Sequence, residues 1–390
     1  MVIQVIRISR CESPYLISKP SEANLQERFG ESAPNVSPFL LNCDSDSDAP
    51  WSHPLLGTFA REPEKFCSSN CLRNLVCCRP NLINHLDIRF ILSNQEEQTI
   101  VGRFDDPGFR KYFQKDRKVV FISHGFANDF RQFTPVNETR DGYLVLGYDV
   151  VIVDWHFADA VYGQAIYNMR VVGAMVGYMV DTYDLEDKVI CVGFSLGAHL
   201  CGEAGKWLQK HKNKTMAECH MLDPAGPGYD GCEDDLRGNK NDCALVLALH
   251  TSQNTSIVNP FQILLTQGFG TKYKTGHCDF WVNDALMWRH PDCYTPRPNF
   301  YNNYFNTSKI VNWTFQTSCS HHRAMDVYNS QLKGGCLFMG TECTNCGHVR
   351  ECKPVEGGMN MTMPPFTTEC DSSMDKDFRV LAKSSRYPFC

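Results

Sequence analysis

Six short apolar runs rich in β-branched residues, separated by longer stretches, leave this chain few folds to adopt. They are DIRFIL (87–92), KVVFIS (118–123), DVVIVD (149–154), KVICVG (188–193), ECHMLD (218–223) and CALVLALH (243–250). A strand with one wet face alternates apolar with polar residues; runs that are nearly apolar throughout belong to strands covered on both faces. Residues 162–183 read as one of the covering helices. Its most apolar part, 171–180, is flanked by Arg170 and Asp181 and falls well short of the roughly 20 residues that cross a bilayer. It therefore reads as one side of a buried helix, with no transmembrane segment anywhere in the chain. The pattern predicts a doubly wound α/β domain built on a mostly parallel sheet.

At 390 residues the chain is long enough for one large core. Residues 1–60, rich in Ser, Pro, Asp and Glu (SDSDAPWSHP) and without a sustained period, predict a loosely held arm, and 61–390 the α/β domain. A net charge of −6, with Lys and Arg scattered, excludes the basic footprint of a nucleic-acid binder. Twenty cysteines point to a chain oxidised during secretion. Sequons at Asn35, Asn137, Asn213, Asn254, Asn306, Asn312 and Asn360 agree with that route. The apolar start Met1 to Ile6 stops at Arg7, short of a signal-peptide core. A secreted protein with this start implies an N-terminus that is incomplete or mis-started. The cluster Cys67, Cys71, Cys77 and Cys78 has no paired His and reads as disulfide stapling rather than zinc.

The chemistry is concentrated where KVICVG runs into Gly193-Phe194-Ser195-Leu196-Gly197 and then into a helical stretch. A strand-to-helix turn this tight has no room for side chains at the two glycines, and it pushes the serine hydroxyl out at the carboxyl edge of the sheet. There a helix N-terminus favours developing negative charge. A serine hydroxyl needs an imidazole to take its proton, and the imidazole an acid to hold its tautomer. Asp223 ends ECHMLD and is followed by the chain-breaking Pro224-Ala225-Gly226-Pro227, which places a carboxylate at the sheet edge. Among thirteen histidines, His321 is a candidate base in an otherwise irregular region running from about 251 to 320.

The chain resembles the pancreatic lipase family of secreted α/β-hydrolases. The resemblance is carried by Phe121-Ile122-Ser123-His124-Gly125-Phe126, Val153-Asp154-Trp155, Gly193 to His199, Leu222 to Pro227 and Cys319 to Ala324, in family order across 85–390. It implies an α/β-hydrolase fold with Ser195, Asp223 and His321 as catalytic triad. The family's base follows a cysteine by one intervening residue, which selects His321 over His322. The backbone N–H groups of Phe126 and Leu196 are then the oxyanion hole.

The resemblance further implies a lid over 293–319, closed at its base by a Cys293–Cys319 disulfide, with aromatics suited to meeting lipid. It also implies disulfides 336–343 and 346–352. Cys232 and Cys243 bracket a polar loop and could pair, while Cys191 and Cys201 fit a buried thiol pair or a bridge equally. Many relatives hold a structural calcium after the catalytic Asp. The corresponding stretch from Asp234 to Asp242 has oxygen ligands, but Asn239 stands where a carboxylate is expected, and each lost charge weakens a hard cation. No metal ligand is therefore assigned and no cofactor is required. Too little chain follows His321 for the family's C-terminal β-sandwich, which argues against a colipase-type partner.

The function implied is ester hydrolysis at a lipid–water interface. Triacylglycerol leads, because the lid and the loop from Gln253 to Thr275 are both long; phospholipase A1, common among short-lid relatives, is the alternative. A non-enzymatic lipid-binding or yolk-type relative usually lacks the nucleophile, which is present here.

Overall fold

The computed structural model describes residues 51–59, 88–96, 99–126, 134–156, 162–253, 268–291, 293 and 307–390 except 385. The cluster Cys67 to Cys78, most of residues 1–60, and the segments 254–267 and 294–306 lie outside these residues.

Twelve strands among the described residues form one sheet. In chain order they are β1 (Arg89–Ser93), β2 (Thr99–Gly102), β3 (Val119–Ser123), β4 (Asp149–Asp154), β5 (Val189–Phe194), β6 (Met216–Leu222), β7 (Cys243–His250), β8 (Cys278–Val282), β9 (Met339–Thr344), β10 (Lys353–Pro354), β11 (Asn360–Thr362) and β12 (Lys376–Val380). The order across the sheet is β10-β9-β12-β8-β7-β6-β5-β3-β4-β1-β2, with β11 on β9. Pairing from β4 through β3, β5, β6, β7 and β8 to β12 is parallel, and the outer strands run antiparallel. This is the α/β-hydrolase architecture, and all six apolar runs are strands of it.

Each central strand feeds two cores. Along β3, Val119 and Phe121 face one cluster and Val120 and Ile122 the other. Helices α2 (Tyr162–Thr182) and α3 (Leu196–Lys212) cover the first face; α1 (Thr134–Val145) and α4 (Thr307–Leu332) cover the second. Emptying the fully buried Phe121 site to Ala costs about 3–5 kcal/mol. No helix among the described residues is long and apolar enough to cross a membrane.

Register places the site. Ser123 pairs with Gly193, Phe194 with Leu222, and Leu222 with Leu249. The chain therefore leaves β3, β5, β6 and β7 abreast, delivering His124, Ser195, Asp223 and the Thr251-Ser252 pair to one edge.

Several expectations change. The stretch from 251 to 320 is not wholly irregular: it contains β8, and α4 begins at Thr307 and carries His321 in its interior. Within the expected arm, Trp51–His53 and Gly57–Phe59 form a hairpin whose Leu56 enters the main core and accepts the Trp207 Nε1 hydrogen bond at 2.8 Å.

The disulfides differ as well. Cys336 bonds Cys390, not Cys343, because the C-terminal segment folds back against the end of α4, where Ser330 Oγ and Cys336 both contact the Pro388 carbonyl. Cys343 faces the other way, in a small cluster with Trp281 and Ala285, and is a free thiol. Cys346–Cys352 forms as the resemblance implies. Cys243 pairs with Cys219 across β6 and β7, and Cys232 is in a different disulfide. Cys191 and Cys201 are bridged, and Cys278–Cys370 joins two segments the sequence did not connect.

Candidate active site

The turn between β5 and α3 is strained at one residue. Ser195 caps α3 with φ 58° and ψ −118°, a conformation that a non-glycine residue holds only where its surroundings enforce it. The enforcement is contact. A Cβ on Gly193 would lie 2.0 Å from the Gly197 carbonyl oxygen, and one on Gly197 would lie 2.5 Å from that of Ser123. The Ser195 N–H also donates to the Leu222 carbonyl at 3.0 Å, tying the turn to the end of β6.

Beside it, Asp223 is fully buried, also at positive φ (43°). Its Oδ1 accepts from the N–H groups of Thr251 (2.8 Å) and Ser252 (3.1 Å), and its Oδ2 from Ser252 Oγ (2.5 Å) and His321 Nδ1 (2.6 Å). Burial pushes the Asp223 carboxyl up, but the His321 and Ser252 hydrogen bonds and the Thr251 N–H outweigh it and hold the group below the usual carboxylate range. An ionised Asp223 can only accept, so the His321 Nδ1 carries a proton and its Nε2 is left as the basic nitrogen. The His321 ring packs against Phe194, the residue before the serine, at 4.6 Å between centroids, and against Phe269 at 5.6 Å. Of the two adjacent histidines, His321 meets Asp223; His322 also packs against Phe194, at 5.4 Å between centroids.

Ser252 was not anticipated. Its hydroxyl donates to Asp223, accepts from the Gly270 N–H at 3.1 Å and lies 3.2 Å from His321 Nδ1. Position two residues past an apolar run is the only sequence signal it offers.

The loop after β3 completes the edge. A Cβ on Gly125 would lie 2.7 Å from Ser195 Cβ, so the backbone leading into Phe126 passes directly over the serine. This loop is anchored from β4: the Trp155 N–H donates to His124 Nε2, and Trp155 Nε1 to the His124 carbonyl, each at 3.2 Å. Asp154 binds the His156 ring at 2.5 Å in the same buried corner. Phe126 packs edge-on against Tyr162, and Leu196 opens α3 in the core.

Cys293 and Cys319 are joined, and the bridge lies two residues before His321 in α4. Residues 294–306 of the expected lid lie outside the described residues; 307–318 begin α4. Among the described residues, one group of sulfurs has metal-like spacing, Cys343, Cys346 and Cys352. With Cys346 and Cys352 bonded to each other, only Cys343 has a thiol to offer.

The family whose model matches this chain is Lipase, over residues 55–361. Pancreatic lipase-related protein 2 of Homo sapiens is 30% identical over 292 residues, 70% of this chain and 58% of that protein. The guinea-pig (Cavia porcellus) protein of the same name is 29% identical over 80% of this chain and 62% of its own length. Pancreatic triacylglycerol lipase of Sus scrofa is 28% identical over 78% and 62%. The chain thus spans less than two thirds of these relatives.

Proposed function

The chain belongs to the lipase family, and from that membership we propose that it is a serine carboxylester hydrolase acting on lipid, with triacylglycerol as substrate. Ser195 is the nucleophile, His321 the general base and acid, and Asp223 the residue that holds the imidazole. The observation that supports this most is the 2.6 Å contact of His321 Nδ1 with buried Asp223, beside a serine on a strained strand-to-helix turn.

The reaction follows from the proton positions. Ser195 Oγ attacks the acyl carbon while His321 Nε2 takes its proton, and the imidazolium is stabilised by Asp223. Negative charge develops on the carbonyl oxygen, for which the N–H groups of Leu196 and Phe126 are the donors, each worth about 3 kcal/mol in the transition state. Collapse expels the alcohol, protonated by His321. Water then attacks the acyl-serine by the same route in reverse, releasing the fatty acid. Ser252 touches no substrate and acts as a positioning residue through Asp223.

The disulfides and the pancreatic relatives favour an oxidising, extracellular site of action. Hydrolysis of emulsified triacylglycerol and of phosphatidylcholine, measured in parallel on the purified protein, tests the substrate. Preference for triacylglycerol, with a rate jump when a short-chain ester passes from monomer to emulsion, is the expected result. Preference for phosphatidylcholine with no jump replaces it with phospholipase A1.

A further inference from the structure

Alongside α3, the loop of residues 234–242 gathers oxygens as a metal site does. The Asp234 and Arg237 carbonyls and both carboxylate oxygens of Asp242 converge, and Asp242 is buried. Relatives of this kind are expected to hold calcium here, so the donor set must be tested against that ion. It does not fit.

Two nitrogens of this chain already occupy the convergence point. Lys206 Nζ, from the middle of α3, donates to the Arg237 carbonyl at 2.7 Å and to Asp242 Oδ2 at 3.0 Å. Asn239 Nδ2 donates to the Asp234 carbonyl at 2.7 Å, to Asp242 Oδ1 at 3.0 Å and to the Arg237 carbonyl at 3.3 Å. Every group at the convergence point facing Asn239 is an acceptor, so the amide must present its nitrogen there. Its oxygen is turned away and accepts the Asn241 N–H at 2.9 Å. A calcium ion takes six to eight oxygens at about 2.3–2.6 Å. Here it would meet an ammonium, already paired with Asp242 at 3.0 Å and with Glu203 at 4.0 Å, and a carboxamide N–H. Lys206 Nζ is thus the cation paired with the buried Asp242 carboxylate, in the place a divalent ion would take.

We propose that Lys206 is a covalently tethered cation standing in for the divalent ion, closing the cage together with Asn239, so that this protein neither binds nor needs calcium at 234–242. The exchange is local because α3 puts a side chain of the right length beside the loop. Its consequence reaches the active edge: the Gly238 N–H donates to His199 Nδ1 at 2.9 Å, and His199 Nε2 donates to the Ala225 carbonyl at 2.8 Å, two residues past Asp223.

Thermal midpoints of the purified full chain in EDTA and in millimolar calcium test the proposal without reference to catalysis. The wild-type midpoint should be the same in both. Lys206→Met should lower it in EDTA, on the order of 5 °C, since it strands a buried carboxylate. Lys206→Met with Asn239→Asp, which frees the convergence point and adds a carboxylate, should be low in EDTA and rise with calcium. A saturable calcium-dependent rise in the wild type overturns the proposal, and that arm decides even where a variant fails to fold. A Lys206→Met midpoint equal to wild type in EDTA, or a double variant indifferent to calcium, overturns it as well.

Discussion

Ser252 donates its hydroxyl to the Oδ2 of Asp223 at 2.5 Å, from the loop after β7 to the loop after β6. The same oxygen accepts the hydrogen bond from the His321 Nδ1–H, so the serine helps to fix where the imidazole is aimed. Ser252→Ala removes a hydrogen bond to a charged group, about 1.5 kcal/mol, or roughly tenfold in kcat with KM unchanged. Ser252→Thr, which keeps the hydroxyl, should recover most of the rate. A change in KM alone on a soluble ester would speak against a positioning role.

His321→Ala should lose at least about a thousandfold in ester hydrolysis, while His322→Ala stays within a few fold. His322 packs on Phe194 but makes no contact with Asp223 among those described. Loss of activity in the His322 variant alone would move the base by one residue.

Acid should release the Asp223 network in a defined direction. Its folded pKa is held below the usual value, so its contribution to stability is fully present above the unfolded value of about 3.9 and is lost as pH falls through the lower folded value. The midpoint difference between wild type and Asp223→Asn should therefore be flat from neutral pH down to about pH 5 and narrow only below about pH 4. Narrowing already between pH 7 and pH 5 would contradict a depressed pKa.

Cys390→Ser opens a disulfide that closes 54 residues, worth about 4 kcal/mol by chain entropy. Peptide mapping without reduction should recover Cys336 joined to Cys390. Recovery of Cys336 with Cys343 would restore the pairing implied by resemblance.

How much of this was legible varies by residue. The six apolar runs gave themselves away because a strand covered on both faces has no polar alternation to confuse. Ser195 could be found because its turn demands two glycines at fixed spacing. His321 lies in a helix, which the Asn- and aromatic-rich run before it concealed. Ser252 and Lys206 were invisible for another reason. Their partners are 29 and 36 residues away in the chain, and what brings them together is sheet register in one case and helix placement in the other. Cys336 could not be matched from spacing, since only the path of the C-terminal segment brings Cys390 to it.

The most direct measurement is the initial rate of fatty-acid release from emulsified triacylglycerol by purified wild-type protein and by Ser195→Ala, with folding checked by thermal midpoint. Release by the wild type, at least about a thousandfold slower release by the variant, and an undiminished midpoint are the predicted results. Equal rates, or a folded wild-type protein that hydrolyses no lipid ester at all, would contradict the assignment of Ser195 as the nucleophile of a lipid esterase.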